Sequence, residues 1–129
     1  MASEQISFCL NGRAVVLPPA TSAAGRLLDW LRGTKEGCAE GDCGACTVAL
    51  EEPDGSRVPI NACLTLLGQM HGRAIRTVEG LRDPPGGPHP VVRILAEHDG
   101  TQCGFCTMRG RPFFYSPTAP GWCGIAGAA

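Results

Sequence analysis

The sequence predicts an α+β fold, a small mixed sheet with one main helix across it. Three observations carry this. Short apolar stretches with strand character recur through the first 80 residues, and several end on strong turn signals. One segment, residues 21–32, has a helical apolar stripe instead. A loop of small residues carrying three cysteines separates that helix from the next hairpin.

Element by element, residues 5–10 (QISFCL) alternate, with Ile6, Phe8 and Leu10 on one face and Cys9 opposite as a small strand residue. Asn11-Gly12 is a two-residue hairpin signal, because both residues tolerate positive φ. The return strand, residues 13–17 (RAVVL), stops at Pro18-Pro19. Thr21 or Ser22 caps a helix running to Arg32, with Leu27, Leu28 and Leu31 as its stripe and Trp30 near the edge. Residues 47–50 and 57–60 flank the turn Pro53-Asp54-Gly55-Ser56 and predict a second hairpin. Residues 61–70 (NACLTLLGQM) read as helical near Cys63, and residues 73–78 as a last strand. The Pro/Gly run from Asp83 to Pro90 is the domain boundary, giving domains 1–82 and 83–129. Residues 91–98 form a short helix closed by Gly100, and no period survives beyond Thr107.

The totals exclude several classes. Apolar content of 43% suffices for a core, while 5% aromatic content and a charge of −1 offer no nucleic-acid footprint. No apolar run approaches the ~20 residues a bilayer needs, and the start lacks an export signal. The setting expected is cytoplasmic and reducing. There, eight cysteines in 129 residues point to metal or catalysis rather than disulfides.

The decisive stretch is Gly37 to Cys46, GCAEGDCGAC. The spacing Cys38-x4-Cys43-x2-Cys46, with Cys63 sixteen residues on, is the plant-type [2Fe–2S] pattern. Two irons, two sulfides and four thiolates carry a net charge of about −2 or −3, which backbone amides must compensate. A loop converges its amides only if side chains stay out of the way and some residues take positive φ. Gly37, Ala39, Gly41, Gly44 and Ala45 meet that demand, and Glu40 and Asp42 must then point outward. A structural zinc site prefers two separated knuckles, which weighs against zinc here. A catalytic cysteine needs a neighbouring His or cation, and His71, His89 and His98 are remote in sequence. Lys35 and Glu36 read as solvated charge.

The string GTKEGCAEGDCGACTV (33–48), with INAC (60–63), TVEGL (77–81), His89-Pro90-Val91 and QCGFCT (102–107), resembles the iron–sulfur portion of the xanthine dehydrogenase (molybdenum hydroxylase) family. That resemblance spans about residues 5–107. It implies a β-grasp, plant-type ferredoxin-like domain, then a helical domain with a second [2Fe–2S] cluster. Cys38, Cys43, Cys46 and Cys63 would hold the cluster nearer FAD. Cys103 and Cys106 would hold half of the other, with Gln102 beside the molybdopterin. The implied partners are a molybdopterin-binding large subunit and a FAD-binding subunit, with no nucleic acid or membrane. Electrons would pass from molybdopterin toward FAD, and this chain would have no substrate site of its own. The family completes the second cluster with a later Cys-x-Cys pair, whereas here only Cys123 follows. The second domain is therefore expected to be partial, truncated, and its cluster incomplete. Rival readings are a free-standing ferredoxin-like carrier, a zinc-stabilised binding module and an inactive fragment.

Overall fold

The computed structural model describes residues 5–31, 33–80, 82–83 and 87–104. Five strands form one mixed sheet: β1 Ser7–Leu10, β2 Arg13–Val16, β3 Thr47–Glu51, β4 Arg57–Asn61 and β5 Ala74–Arg76, in the order β2-β1-β5-β3-β4. The β1–β2 hairpin pairs Ser7 with Val16 and Leu10 with Arg13. Its two-residue turn has Asn11 at φ 51° and Gly12 at φ 80°, the geometry that matches strand twist. The β3–β4 turn closes through Gly55 at φ 86° and a bond from the Ser56 amide to Asp54 Oδ1 at 2.8 Å. Strand β5 lies between the hairpins, parallel to β1 and antiparallel to β3, which puts Ile75 at the fully buried centre.

One face of the sheet is covered by the segment containing α1, Leu27–Trp30. Phe8, Leu27, Leu28, Leu31, Val48, Leu67, Met70 and Ile75 make the core, and Trp30 stands edge-on to Phe8 with ring centroids 5.2 Å apart. Cys9, on β1, is also buried.

The helix expected over residues 21–32 shrinks to four residues. The reason is tertiary. The Leu27 amide donates to Thr65 O at 2.7 Å and the Leu28 amide to Ala62 O at 3.1 Å. In return the amides of Leu67 and Gly68 donate to the carbonyls of Gly25 and Ala23. Residues 23–28 thus spend their backbone groups on residues 62–68, and a helix there would break those bonds. The approach needs small residues: a Cβ on Gly68 would lie 3.0 Å from Ala23 Cβ, and one on Gly25 3.2 Å from Leu67 Cδ1. The helix expected near Cys63 is likewise replaced. Asn61 still belongs to β4, and only Leu67–Met70 forms a 3₁₀ turn. The last strand shortens to Ala74–Arg76 because Thr77 turns off to bond Asn11, its amide donating to Asn11 Oδ1 at 2.8 Å.

The Pro/Gly run contributes a two-stranded ladder, β6 Arg82–Asp83 with β7 Gly87–Pro88. Helix α2, Pro90–Glu97, follows, one residue offset from expectation. Its N-cap is His89, buried, whose Nδ1 accepts from the Val91 amide at 3.2 Å. No helix among the described residues is long and apolar enough to cross a membrane.

Candidate metal centre

The cysteine loop leaves α1 and enters β3, so its far end is anchored by the sheet. Within it Ala39, Gly41 and Gly44 take φ of 57°, 84° and 68°. Left-handed backbone costs a residue with a Cβ about 1–2 kcal/mol, so glycine takes two of these positions and alanine, the smallest alternative, the third. The turns aim amides at sulfur. The amides of Glu40 and Cys43 donate to Cys38 Sγ at 3.4 and 3.3 Å, and that of Ala45 to Cys43 Sγ at 3.4 Å. Glu40 and Asp42 are exposed, as their charge requires.

Cys63 arrives from β4. Asn61 joins the two loops: its Nδ2 donates to Gly41 O at 3.1 Å, while its own carbonyl accepts from Thr65 Oγ1 at 2.9 Å. The Ala62 amide donates to Cys46 O at 3.3 Å. Thr47 Oγ1 donates to Gly44 O at 2.6 Å, closing the turn after Cys43. Gly41 sits so close that a Cβ there would meet Leu64 Cδ1 at 2.5 Å. Asn61 escaped the sequence reading. Its position two residues before Cys63 was the available signal.

Cys38, Cys43, Cys46 and Cys63 are free thiols on these adjoining loops. The Cys38 thiol meets that of Cys43, and the Cys46 thiol meets that of Cys63. Among the described residues no group of three or more His, Cys, Asp or Glu side chains is drawn into metal-site geometry. The donor chemistry nevertheless fits a thiolate-bound cluster. The Cys38 thiol is pulled down to about 7, chiefly by the amides of Cys43 and Glu40, which favour the anion. Burial pushes the Cys63 thiol up, with Cys46 adding to it.

Cys103, the first cysteine of the second motif, lies on the turn after α2. Cys103 and Gln102 are exposed, and Cys106 and Cys123 lie outside the described residues. The turn is nonetheless tied to the first loop: Lys35 Nζ donates to Gly104 O at 2.9 Å. Lys35 is therefore not the solvated charge its sequence context suggests, and Glu36 pairs with Arg26 at 2.9 Å. Thr34 beside it keeps a buried hydroxyl with no partner among the described residues. The histidines serve the scaffold. His71 Nδ1 accepts the Ser7 amide at 3.2 Å, His89 starts α2, and His98 ends it.

No family model matches the chain. Xanthine dehydrogenase of Drosophila pseudoobscura pseudoobscura is 43% identical over 115 residues, which cover 81% of this chain and 9% of that protein. Aldehyde oxidase 1 of Oryctolagus cuniculus is 42% identical over 113 residues, 80% of this chain and 8% of that protein. The chain belongs to the xanthine dehydrogenase and aldehyde oxidase family. Solved relatives agree. Quinoline 2-oxidoreductase from Pseudomonas putida 86 superposes with a TM-score of 0.68 at 34% identity, over 84% of this chain and 66% of that one. Aldehyde oxidoreductase from Desulfovibrio gigas gives 0.66 at 37% identity, over 81% of this chain and 12% of that one. The chain thus spans about a tenth of the length of these curated xanthine dehydrogenases and aldehyde oxidases.

Proposed function

We propose that the chain is the iron–sulfur electron-transfer portion of a xanthine dehydrogenase-like oxidoreductase, with Cys38, Cys43, Cys46 and Cys63 holding one [2Fe–2S] centre. One observation carries this: a loop bent at Ala39, Gly41 and Gly44 that turns three amides onto the sulfurs of Cys38 and Cys43. When bound, such a centre takes up and returns one electron at a time. The chain's own work is to hold four thiolates, to offset their charge with N–H dipoles and to seal one side with the buried Cys46 and Cys63. Asn61 keeps the loop that brings three ligands against the one that brings the fourth.

Residues 1–82 form the ferredoxin-like domain in this reading, and residues 83–129 a second, partial one to which Cys103 and Cys106 contribute. The partners are a molybdopterin-binding and a FAD-binding portion of the same complex, with Gln102 on the molybdopterin side. The chain relays electrons between them in the cytoplasm and binds no substrate itself.

Anaerobic reconstitution with ferrous salt and sulfide tests this. About two irons per chain, visible absorption bands and one rhombic EPR signal on reduction are expected. Cys43→Ser should abolish all three, because it removes a ligand and the acceptor of the Ala45 amide. A colourless protein that takes up one zinc instead would overturn the reading.

A further inference from the structure

The contact between Lys35 and Gly104 joins segments 69 residues apart in the chain. Lys35 is half-buried, and among the described residues no carboxylate lies within ion-pair distance of it; its ammonium is spent on a backbone carbonyl. Gly104 takes φ of 81°, which sets the plane of the turn that presents that carbonyl. A Cβ at Gly104 would meet Nζ at 3.6 Å and Thr101 Cγ2 at 3.7 Å, ordinary contact distances, so the positive φ and not lack of space is what disfavours a side chain there. The two ends of the contact are the residue three before Cys38 and the residue after Cys103. A charge-assisted donor on a carbonyl is stronger than a neutral one, and half-burial shields it from competing water.

We propose that Lys35 is a positioning residue: its ammonium latches the Cys103–Gly104 turn to the Cys38 loop and so sets the spacing between the two cysteine motifs. This rests on the electron-transfer reading above for its purpose, but not for its geometry. The bond crosses directly from the turn to the segment that leads into Cys38. On its other side the turn adjoins α2, whose residues are half-exposed or exposed, through a bond from the Gly100 amide to Leu95 O at 2.8 Å. A relay needs the segments around its centre held at fixed spacing, and Lys35 contributes to that without being one of the four thiolate donors.

Hydrogen–deuterium exchange on the full chain tests the latch, read on the peptide covering residues 99–104 and, as internal control, on β1 and β2. Lys35→Met should raise exchange in the turn about tenfold, the scale of one charge-assisted hydrogen bond, and leave the control peptide unchanged. Lys35→Arg keeps a cationic donor and should restore protection. Gly104→Ala attacks the same bond from the other side, since alanine resists φ of 81°, and should loosen the turn with Lys35 intact. Should Lys35→Met unfold the chain, Gly104→Ala carries the test alone. Unchanged exchange in the turn in both variants, or Lys35→Arg behaving as Lys35→Met, would overturn the proposal. Iron content and visible bands, measured on the same samples, report the electron-transfer reading separately: their absence in the parent chain sinks that reading while the exchange data still decide the latch.

Discussion

At Cys38 and Cys63 the same side chain meets opposite surroundings. Cys38 is half-buried on a loop that gives it two amides, and its thiol falls to about 7. Cys63 is buried beside Cys46, and its thiol rises above the ordinary 9.0. In the metal-free chain, alkylation by iodoacetamide should therefore strike Cys38 first, with half-maximal rate near pH 7, while Cys63 stays unmodified. Peptide mapping by mass spectrometry across pH 5 to about 9 reads the order directly. Equal rates would show that the amides do not stabilise the thiolate. The sign for stability follows: a lowered thiol stabilises the fold fully above its unfolded value of 9.0 and loses that contribution as pH falls through about 7.

At the scale of elements, the short α1 and the loop after Cys63 depend on each other. Neither extends into a longer helix, because each supplies the other's backbone partners. Gly68→Val tests this mutual support. Its Cβ would lie 3.0 Å from Ala23 Cβ and 3.2 Å from Ala23 O, and backbone cannot swing aside as a side-chain tip can. A loss of about 1–3 kcal/mol is expected in urea unfolding. Iron retention should fall with it, because the displaced segment carries the Ala62 carbonyl and Cys63 next to it. Full stability in Gly68→Val would mean the crossing is slack.

Across the whole molecule, the sheet is tied on its β3–β4–β5 side by one buried carboxylate. Glu51 is 6% exposed and pairs with Arg57 at 3.0 Å and Arg76 at 2.6 Å. Arg76 also donates to Gly80 O at 3.0 Å, which fastens the chain as it leaves the sheet. Glu51→Gln leaves two nearly buried guanidinium groups facing a neutral amide, and should cost about 3–5 kcal/mol in urea unfolding. Replacing all three by apolar residues of similar volume should cost less, since no charge is then left buried without its partner. A small loss in Glu51→Gln would show that water reaches the triad. Cys46 precedes the first residue of β3 and Glu51 is its last, so iron binding should survive until the fold itself is lost.

The α+β class, both hairpins and the small-residue cysteine loop were legible in the sequence, because each is a local property. Strand alternation has period two, Asn-Gly and Asp-Gly choose their turns, and glycine alone takes positive φ without strain. The cysteine spacing is local as well for the three cysteines on one loop. What only the tertiary structure decided spans long separations. The stripe Leu27, Leu28 and Leu31 reads as part of a long helix, yet residues 62–68 claim the backbone groups that helix would have used. Asn61 reaches Gly41 twenty residues back, and Lys35 reaches Gly104 across 69, so neither partner shows in a window of sequence. A buried polar group must find some partner, and which one it finds is settled only when the chain has folded.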